Sequence, residues 1–327
     1  MSLLIKGKIQ GDWMSHETES GEFVRKDSQF RNWVTADGQP GPTGEGGFPA
    51  EADRYHLYVS LACPWAHRTL IFRLLKGLES VISYSVVHPY MGPEGWSFER
   101  YPGSDGDALY GAAYLYELYS RAQSDYSGIV TVPVLWDKQR QTIVNNESSE
   151  IIRMLNESFT AFAKPGPDLY PIPLREVIDE VNAEVYERVN NGVYRAGFAE
   201  TQAAYEQAFG DLFSTLDRLE ARLRGQDWLA GDSVTEADWR LFTTLVRFDA
   251  VYYVHFKCNR QRIADYPELW DYTRALYQVP GVAGTVNMDQ IKRHYYTSHP
   301  ELNPRGLIPR GPVIDFTAPT RRSVLGT

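Results

Sequence analysis

The stretch of sequence that decides the fold of this 327-residue chain is residues 55–66, which read YHLYVSLACPWA. Residues 55–59 predict a β-strand, and Pro64 is typical of the first turn of a helix, where its missing N–H has no partner to lose. Cys63 therefore lies between a strand and the N-terminus of a helix. There, unpaired amides and the positive end of the helix dipole favour a thiolate over a thiol. We expect Cys63 to be a nucleophile, and a buried, inert cysteine is the alternative reading.

The third residue after Cys63 narrows the chemistry. Redox dithiol proteins carry Cys-x-x-Cys, whose second sulfur releases the mixed disulfide, but here that position is Ala66. An external thiol must therefore complete any cycle at Cys63, and glutathione is the abundant candidate in a reducing cytoplasm. Arg68, one turn along, would add positive potential. The only other cysteine, Cys258, is expected to be a bystander.

The order of the elements predicts two kinds of domain. Residues 55–59 and 81–87 read as strands around a helix that ends before Gly77, and residues 131–137 and 142–144 read as a hairpin before a helix that starts at Ser148. This is an α/β domain with a mixed sheet, predicted over residues 51–160 after an ordered extension at 1–50. Strand signals then largely vanish, which predicts an all-helical domain over residues 170–327. Its helices are expected near Leu174–Asn190, Thr201–Arg224, Thr235–Tyr253 and Tyr266–Gln278. The third is expected to begin with a capping box, in which Asp238 takes the usual place of glutamate three residues after Thr235.

Composition excludes several classes of partner. The net charge of −9 argues against nucleic acid or an anionic membrane as the main partner. Two cysteines in a chain of this length give no disulfide framework, which fits a reducing compartment. We find no apolar run long enough for a signal peptide or a spanning helix, so we expect a soluble, cytoplasmic protein. We expect no metal.

Two further elements suggest a site for a peptide-like thiol. Pro133 opens a predicted edge strand and would turn the backbone of Val132 outward to pair with an extended ligand, although a mere edge-strand proline is the alternative. At the next helix start, Ser148 could bind a carboxylate and Glu147 an ammonium group, the two charges of a γ-glutamyl end. Simple helix capping is the alternative there.

These residues resemble the glutathione transferase superfamily, which joins a thioredoxin-like domain to an all-helical domain. Within it, the match is close to the Xi class, the glutathionyl-hydroquinone reductases, and it runs almost end to end. It is carried by residues 30–33 (FRNW), 58–68 (YVSLACPWAHR), 131–137 (TVPVLWD), 146–148 (NES), 190–194 (NNGVY), 247–249 (RFD) and 294–295 (HY).

The resemblance implies a reaction and a set of ligands. Cys63 would take glutathione from a glutathionyl-hydroquinone as a mixed disulfide, and a second glutathione would release it as glutathione disulfide. Trp96, Val132, Pro133, Glu147 and Ser148 would bind glutathione. The quinol would be bound by three tyrosines, Tyr194, Tyr252 and Tyr295. Tyr194 and Tyr295 are also candidates to protonate the leaving carbon.

The register at Tyr252–Tyr253 and Tyr295–Tyr296 stays open, because two tyrosines are adjacent at each place. A homodimer is expected by resemblance alone. One alternative is an omega-like thiol transferase or dehydroascorbate reductase, which would share Cys63, Val132 and Ser148. The other is a non-catalytic interaction protein with the same fold.

Overall fold

A computed structural model of the chain describes residues 2–12 and 20–322. Contacts between residues divide it into two compact units. The described residues of the first unit are 2–12, 26–167 and 287–298, and those of the second are 20–25, 168–286 and 299–322. Segments from the predicted extension and from the predicted helical domain therefore contribute to the first unit.

Within residues 2–12 and 20–322, the strands all lie in the first unit. They are β1 Ser2–Ile5, β2 Lys8–Asp12, β3 Tyr55–Val59, β4 Ser83–Val86, β5 Met91–Gly92, β6 Gly95–Trp96, β7 Gly128–Val130, β8 Val134–Asp137 and β9 Thr142–Asn145. The helices are α1 Pro64–Leu75, α2 Leu115–Ala122, α3 Ser148–Glu157, α4 Arg175–Val185, α5 Gly192–Gly197, α6 Gln202–Leu223, α7 Glu236–Arg247, α8 Pro267–Tyr277 and α9 Met288–Thr297. Among the described residues, π-helical turns follow α4 at Tyr186–Asn190 and α7 at Phe248–Tyr252.

The central sheet of the first unit is mixed, as predicted. Its strand order is β4-β3-β8-β9, with β3 and β4 parallel and the other pairs antiparallel. All five residues of β3 are buried, which is expected of a strand covered on both faces. Helices α1 and α3 pack together, and α1 begins directly after the loop that follows β3. The sheet thus positions the start of α1, where Cys63 lies.

Residues 2–12 form structure that the sequence did not predict. Strands β1 and β2 form a hairpin, and β1 also pairs antiparallel with β7, with Leu3 opposite Ile129. This second sheet has the order β2-β1-β7. The extension therefore adds β1 as a strand beside β7. Strand β7 in turn leads directly into the loop of Val132.

The four predicted helices of the second unit are confirmed, and α7 begins with the predicted capping box. Asp238 accepts hydrogen bonds from the backbone N–H of Thr235 (2.7 Å) and from its hydroxyl (3.1 Å). Burial raises the pKa of Asp238, and the backbone N–H of Leu229 and the hydroxyl of Tyr272 also donate to it. These bonds fix the start of the most buried helix of the unit. In the described parts of the chain, no helix is both long enough and apolar enough to cross a membrane.

Candidate functional site

Cys63 is the residue immediately before the first turn of α1. Its backbone is extended, Pro64 follows at the first helical position, and its carbonyl accepts from the N–H of His67 at 3.0 Å. Cys63 is half-buried, whereas the other cysteine, Cys258, is fully buried. Cys63 therefore lies where the sequence predicted, at the amino end of a twelve-residue helix. Positions of this kind in general favour a thiolate over a thiol.

The loop of Val132 lies beside this sulfur. Cys63 Sγ donates to the carbonyl of Val132 at 3.6 Å, and the Val132–Pro133 peptide bond is cis. Ionisation of the thiol removes that donor, which leaves the carbonyl of Val132 available to the N–H of a bound thiol peptide. The fold thus brings Cys63 and the predicted loop together.

Glu147 and Ser148 lie at the start of α3. Glu147 is the N-cap residue, and its carboxylate accepts from the N–H (3.1 Å) and the hydroxyl (2.8 Å) of Ser149. Its second oxygen accepts from the hydroxyl of Ser28 at 3.2 Å. Capping therefore operates here, and a carboxylate with about four lone-pair sites still has capacity for an ammonium group. Ser148 is the first helical residue, and its buried hydroxyl lies 3.4 Å from Arg68 Nη1.

A tyrosine on α2 connects the two loops. The hydroxyl of Tyr119 donates to the carbonyl of Thr131 at 2.9 Å and accepts from Nδ2 of Asn146 at 3.2 Å. Thr131 directly precedes Val132, and Asn146 directly precedes Glu147. The buried phenol of Tyr119 therefore fixes both predicted glutathione-binding loops. Burial raises the pKa of Tyr119, which keeps it a neutral donor. Sequence reasoning missed it, because its partners lie 12 and 27 positions along the chain.

Trp96 is buried on β6 and stacks on the ring of His294 from α9, with centroids 4.8 Å apart and planes at 26°. His294 Nδ1 lies 3.0 Å from the carbonyl of Pro89, and because a carbonyl only accepts, we assign the proton to Nδ1. Ser298, one turn along, accepts from the N–H of Met91 at 3.0 Å. The indole Nε1 of Trp96 is buried and has no hydrogen-bond partner among the described residues. A buried, unsatisfied N–H is what a ligand acceptor would complete.

Tyr295 follows His294 on α9 and lies in the same unit as Cys63. Its ring is 5.2 Å from that of His294. Both Tyr295 and Tyr296 are buried, so burial does not choose between them. Of the predicted site residues, the first unit contains Cys63, Trp96, Val132, Pro133, Glu147, Ser148 and Tyr295.

Tyr194 and Tyr252 belong to the second unit, where they form an aromatic cluster. Their ring centroids are 6.0 Å apart, and Phe256 stacks on Tyr252 at 5.5 Å and meets Tyr194 edge-on at 5.4 Å. Tyr252 is fully buried in this cluster, whereas Tyr253 is half-buried. Each of these two tyrosines lies close to a π-helical turn: Tyr194 lies four residues after the first turn, and Tyr252 is the last residue of the second. Such turns often occur at functional sites.

The second cysteine is unsuited to thiol exchange. Cys258 is fully buried, and its Sγ faces the carbonyl of Phe256 at 3.7 Å. Burial raises the pKa of the Cys258 thiol, which disfavours the thiolate. Within the described ranges, no group of three or more His, Cys, Asp or Glu side chains could hold a metal ion.

Comparison with known proteins agrees with this arrangement. The family model described as the glutathione S-transferase N-terminal domain matches residues 62–158, and the model for the C-terminal domain matches residues 202–275. Glutathionyl-hydroquinone reductase YqjG of Escherichia coli (strain K12) is 55% identical over 325 residues, which cover 99% of each chain. Its glutathione-bound structure superposes with a TM-score of 0.90 and covers 98% of both chains.

Two other relatives are nearly as similar. Glutathionyl-hydroquinone reductase PcpF of Sphingobium chlorophenolicum is 53% identical, with 95% of this chain and 96% of that protein covered. The glutathione S-transferase omega-like 2 of Schizosaccharomyces pombe is 49% identical over 92% of this chain and 96% of that protein. Family models match both halves, and relatives match over nearly the whole length. The chain therefore belongs to the glutathione transferase superfamily, in the family of the glutathionyl-hydroquinone reductases.

Proposed function

We propose that this enzyme reduces glutathionyl-hydroquinones to free hydroquinones at the expense of glutathione. The observation that carries the proposal is Cys63, a half-buried thiol at the N-terminus of α1, beside the carbonyl of Val132 and with Ala66 where a resolving cysteine would be. A single reactive sulfur can accept a glutathionyl group but needs a second thiol to release it. Relatives named glutathionyl-hydroquinone reductase, at 55% and 53% identity, support this reading.

The reaction has two steps. The Cys63 thiolate attacks the sulfur of the glutathionyl-hydroquinone, so that a sulfur–sulfur bond forms and the sulfur–carbon bond breaks. The electron pair of the broken bond leaves with the aromatic carbon, which takes up one proton. The hydroquinone is thereby reduced, and the two sulfurs are oxidised to a mixed disulfide.

In the second step, the thiolate of another glutathione attacks the glutathionyl sulfur of the mixed disulfide. Glutathione disulfide leaves, and the electron pair of the broken bond returns to Cys63 as thiolate. The sum is one glutathionyl-hydroquinone and one glutathione converted into one hydroquinone and one glutathione disulfide.

We assign binding roles to the residues that the sequence predicted. Trp96, Val132, Pro133, Glu147 and Ser148 bind glutathione. The buried N–H of Trp96, which has no partner in the part of the chain that the structure describes, supports its inclusion. Tyr194, Tyr252 and Tyr295 supply hydroxyls to the quinol oxygens, and Tyr194 or Tyr295 delivers the proton to carbon. We also infer a homodimer, by resemblance to the Xi class, and a cytoplasmic location, because the cycle needs a reduced thiol and glutathione.

The deciding assay is turnover of glutathionyl-menadiol with free glutathione, followed by release of menadiol. We expect the wild type to release it and both Cys63→Ala and Cys63→Ser to release none. Cys258→Ala is the matched control, because it removes the other sulfur and should keep activity. If Cys63→Ser conjugated glutathione to a quinone while the wild type released nothing, the reductase proposal would be replaced by a conjugating transferase.

Dehydroascorbate as a substrate tests the omega-like alternative. We consider this alternative because a relative named omega-like is 49% identical to this chain. An omega-like enzyme reduces dehydroascorbate faster than it releases menadiol, and we expect the reverse order. A non-catalytic protein would form no glutathione adduct on Cys63 after exposure to glutathione disulfide.

A further inference from the structure

The half-buried guanidinium of Arg25 lies over the ring of Tyr194. Its central carbon is 5.0 Å from the centroid of that ring and 5.4 Å from the centroid of Phe23. Both distances are within the range of about 6 Å in which a cation is attracted to an aromatic face. Arg25 Nε also donates to Oδ1 of Asn191 at 2.8 Å, and Asn191 is buried. The guanidinium is therefore fixed in orientation.

The segment that carries Arg25 is itself anchored within the second unit. Glu200 N–H donates to the carbonyl of Gly21 at 3.0 Å, and the hydroxyl of Thr201 donates to the carbonyl of Ser20 at 3.1 Å. Gly21 has a φ of +71°, and a Cβ there would lie 2.7 Å from Thr201 Cγ2. Any other residue would be strained at this φ and in this close contact, so the approach of residues 20–25 to the start of α6 depends on glycine at this position.

The position of this charge has a consequence for the first step of the reaction. When the sulfur–carbon bond breaks, negative charge develops on the quinol, and a tyrosine hydroxyl that donates to it donates more strongly. Negative charge then grows on the phenol, and a cation over the ring face stabilises it. The second step involves only sulfur atoms and gains nothing from this charge.

We propose that Arg25 is a positioning residue, and this inference rests on the proposed function. It holds Tyr194 and, through its charge, strengthens the hydrogen bond from Tyr194 to the quinol during carbon–sulfur cleavage. The residue belongs to the N-terminal segment, outside the ranges 62–158 and 202–275 that the two domain models match.

The test separates the two half-reactions in Arg25→Met, Arg25→Gln and Arg25→Lys. Single-turnover release of menadiol from glutathionyl-menadiol measures the first step, and reduction of the preformed Cys63 mixed disulfide by glutathione measures the second. We expect Arg25→Met and Arg25→Gln to slow the first step about two- to thirtyfold, which is the rate change that corresponds to the free energy of one cation–aromatic contact. The second step should keep its rate, and Arg25→Lys should recover most of the first because the charge remains.

Arg175→Met is the matched control. Arg175 also places its guanidinium over a tyrosine of the same unit, 4.6 Å from the centroid of Tyr170, and its Nε donates to the Tyr170 carbonyl at 3.1 Å. Tyr170 has no predicted role in the reaction, so both half-reactions should keep wild-type rates. A thermal melt of each variant identifies losses that come from unfolding.

Equal slowing of both steps, or a lowered melting temperature with an unchanged first step, would overturn the inference. An equal effect of Arg175→Met on the first step would overturn it too. If the wild type releases menadiol and both charge-free variants match it, the inference fails and the proposed function stands. If the wild type releases none, both fail together.

Discussion

Replacement of Trp96 by phenylalanine separates its proposed role in binding from its role in packing. The indole is 4% exposed, and its Nε1 has no hydrogen-bond partner among the described residues. Phenylalanine keeps an aromatic face for the stack on His294 but removes the N–H. In the free enzyme that N–H is a buried donor without a partner, so its removal relieves a desolvation penalty of about 1–3 kcal/mol. This gain offsets the packing lost with the second ring, and we expect little change in melting temperature.

The affinity for glutathione, in contrast, should fall in this variant. If glutathione accepts from the indole, the variant loses at least one net hydrogen bond, which is worth about 0.5–1.5 kcal/mol for a donor that is hydrated in the free state. That loss corresponds to a dissociation constant raised about 2- to 13-fold. The loss is larger here, because this donor is already desolvated in the free enzyme. An acceptor that carries charge, such as a carboxylate of glutathione, would increase the loss to about 1.5–3 kcal/mol.

Calorimetric titration with glutathione in a Cys63→Ser background measures this affinity without covalent trapping. Trp136→Phe is the matched control, because Trp136 is also a fully buried tryptophan of the first unit, but its Nε1 donates to the hydroxyl of Tyr110 at 3.0 Å. It should lose stability and keep its affinity for glutathione. The reasoning is refuted if Trp96→Phe binds as tightly as its parent and melts as low as Trp136→Phe.

Three other perturbations address the thiols, a helix start and pH. Incubation with glutathione disulfide should add about 305 Da to Cys63, reversibly with excess glutathione, and nothing to fully buried Cys258; peptide mapping with an adduct on Cys258 would contradict this. Thr235→Ala should lower the free energy of unfolding by about 1 kcal/mol in a denaturant melt, while hydroquinone release keeps its rate. Burial lowers the pKa of His56 from 6.5 to about 4, so the unfolded chain binds a proton that the folded chain does not, and stability falls as pH decreases through this window. His56→Gln should therefore show a smaller loss of stability between pH 7 and pH 4.5, and an unchanged loss would contradict this reasoning.

Much of the first unit could be predicted because its signals are local. The strand at Tyr55–Val59, the proline after Cys63 and the hairpin of β8 and β9 each depend on a few consecutive residues. The capping box of Thr235 and Asp238 is equally local. Each of these elements was confirmed, since propensity, turn chemistry and capping agree at those positions.

What the sequence did not predict depends on residues far apart along the chain. The pairing of Leu3 with Ile129 joins strands of three or four residues, too short to carry a periodic pattern. The hydrogen bond from Ser28 to Glu147 spans 119 positions. The π-helical turns escape notice for another reason, because one extra residue in a turn barely alters a helical pattern.

Helix α9 has a consequence for how the two substrate parts are recognised. His294 and Tyr295 are adjacent, so their side chains leave the helix about 100° apart. His294 stacks on Trp96, the proposed contact to glutathione, and Tyr295 is a proposed contact to the quinol. Both residues belong to the compact unit that contains Cys63. One folded unit therefore contains the nucleophile together with a proposed contact to each part of the substrate, and the hydrogen bond from His294 to Pro89 fixes the helix that joins them.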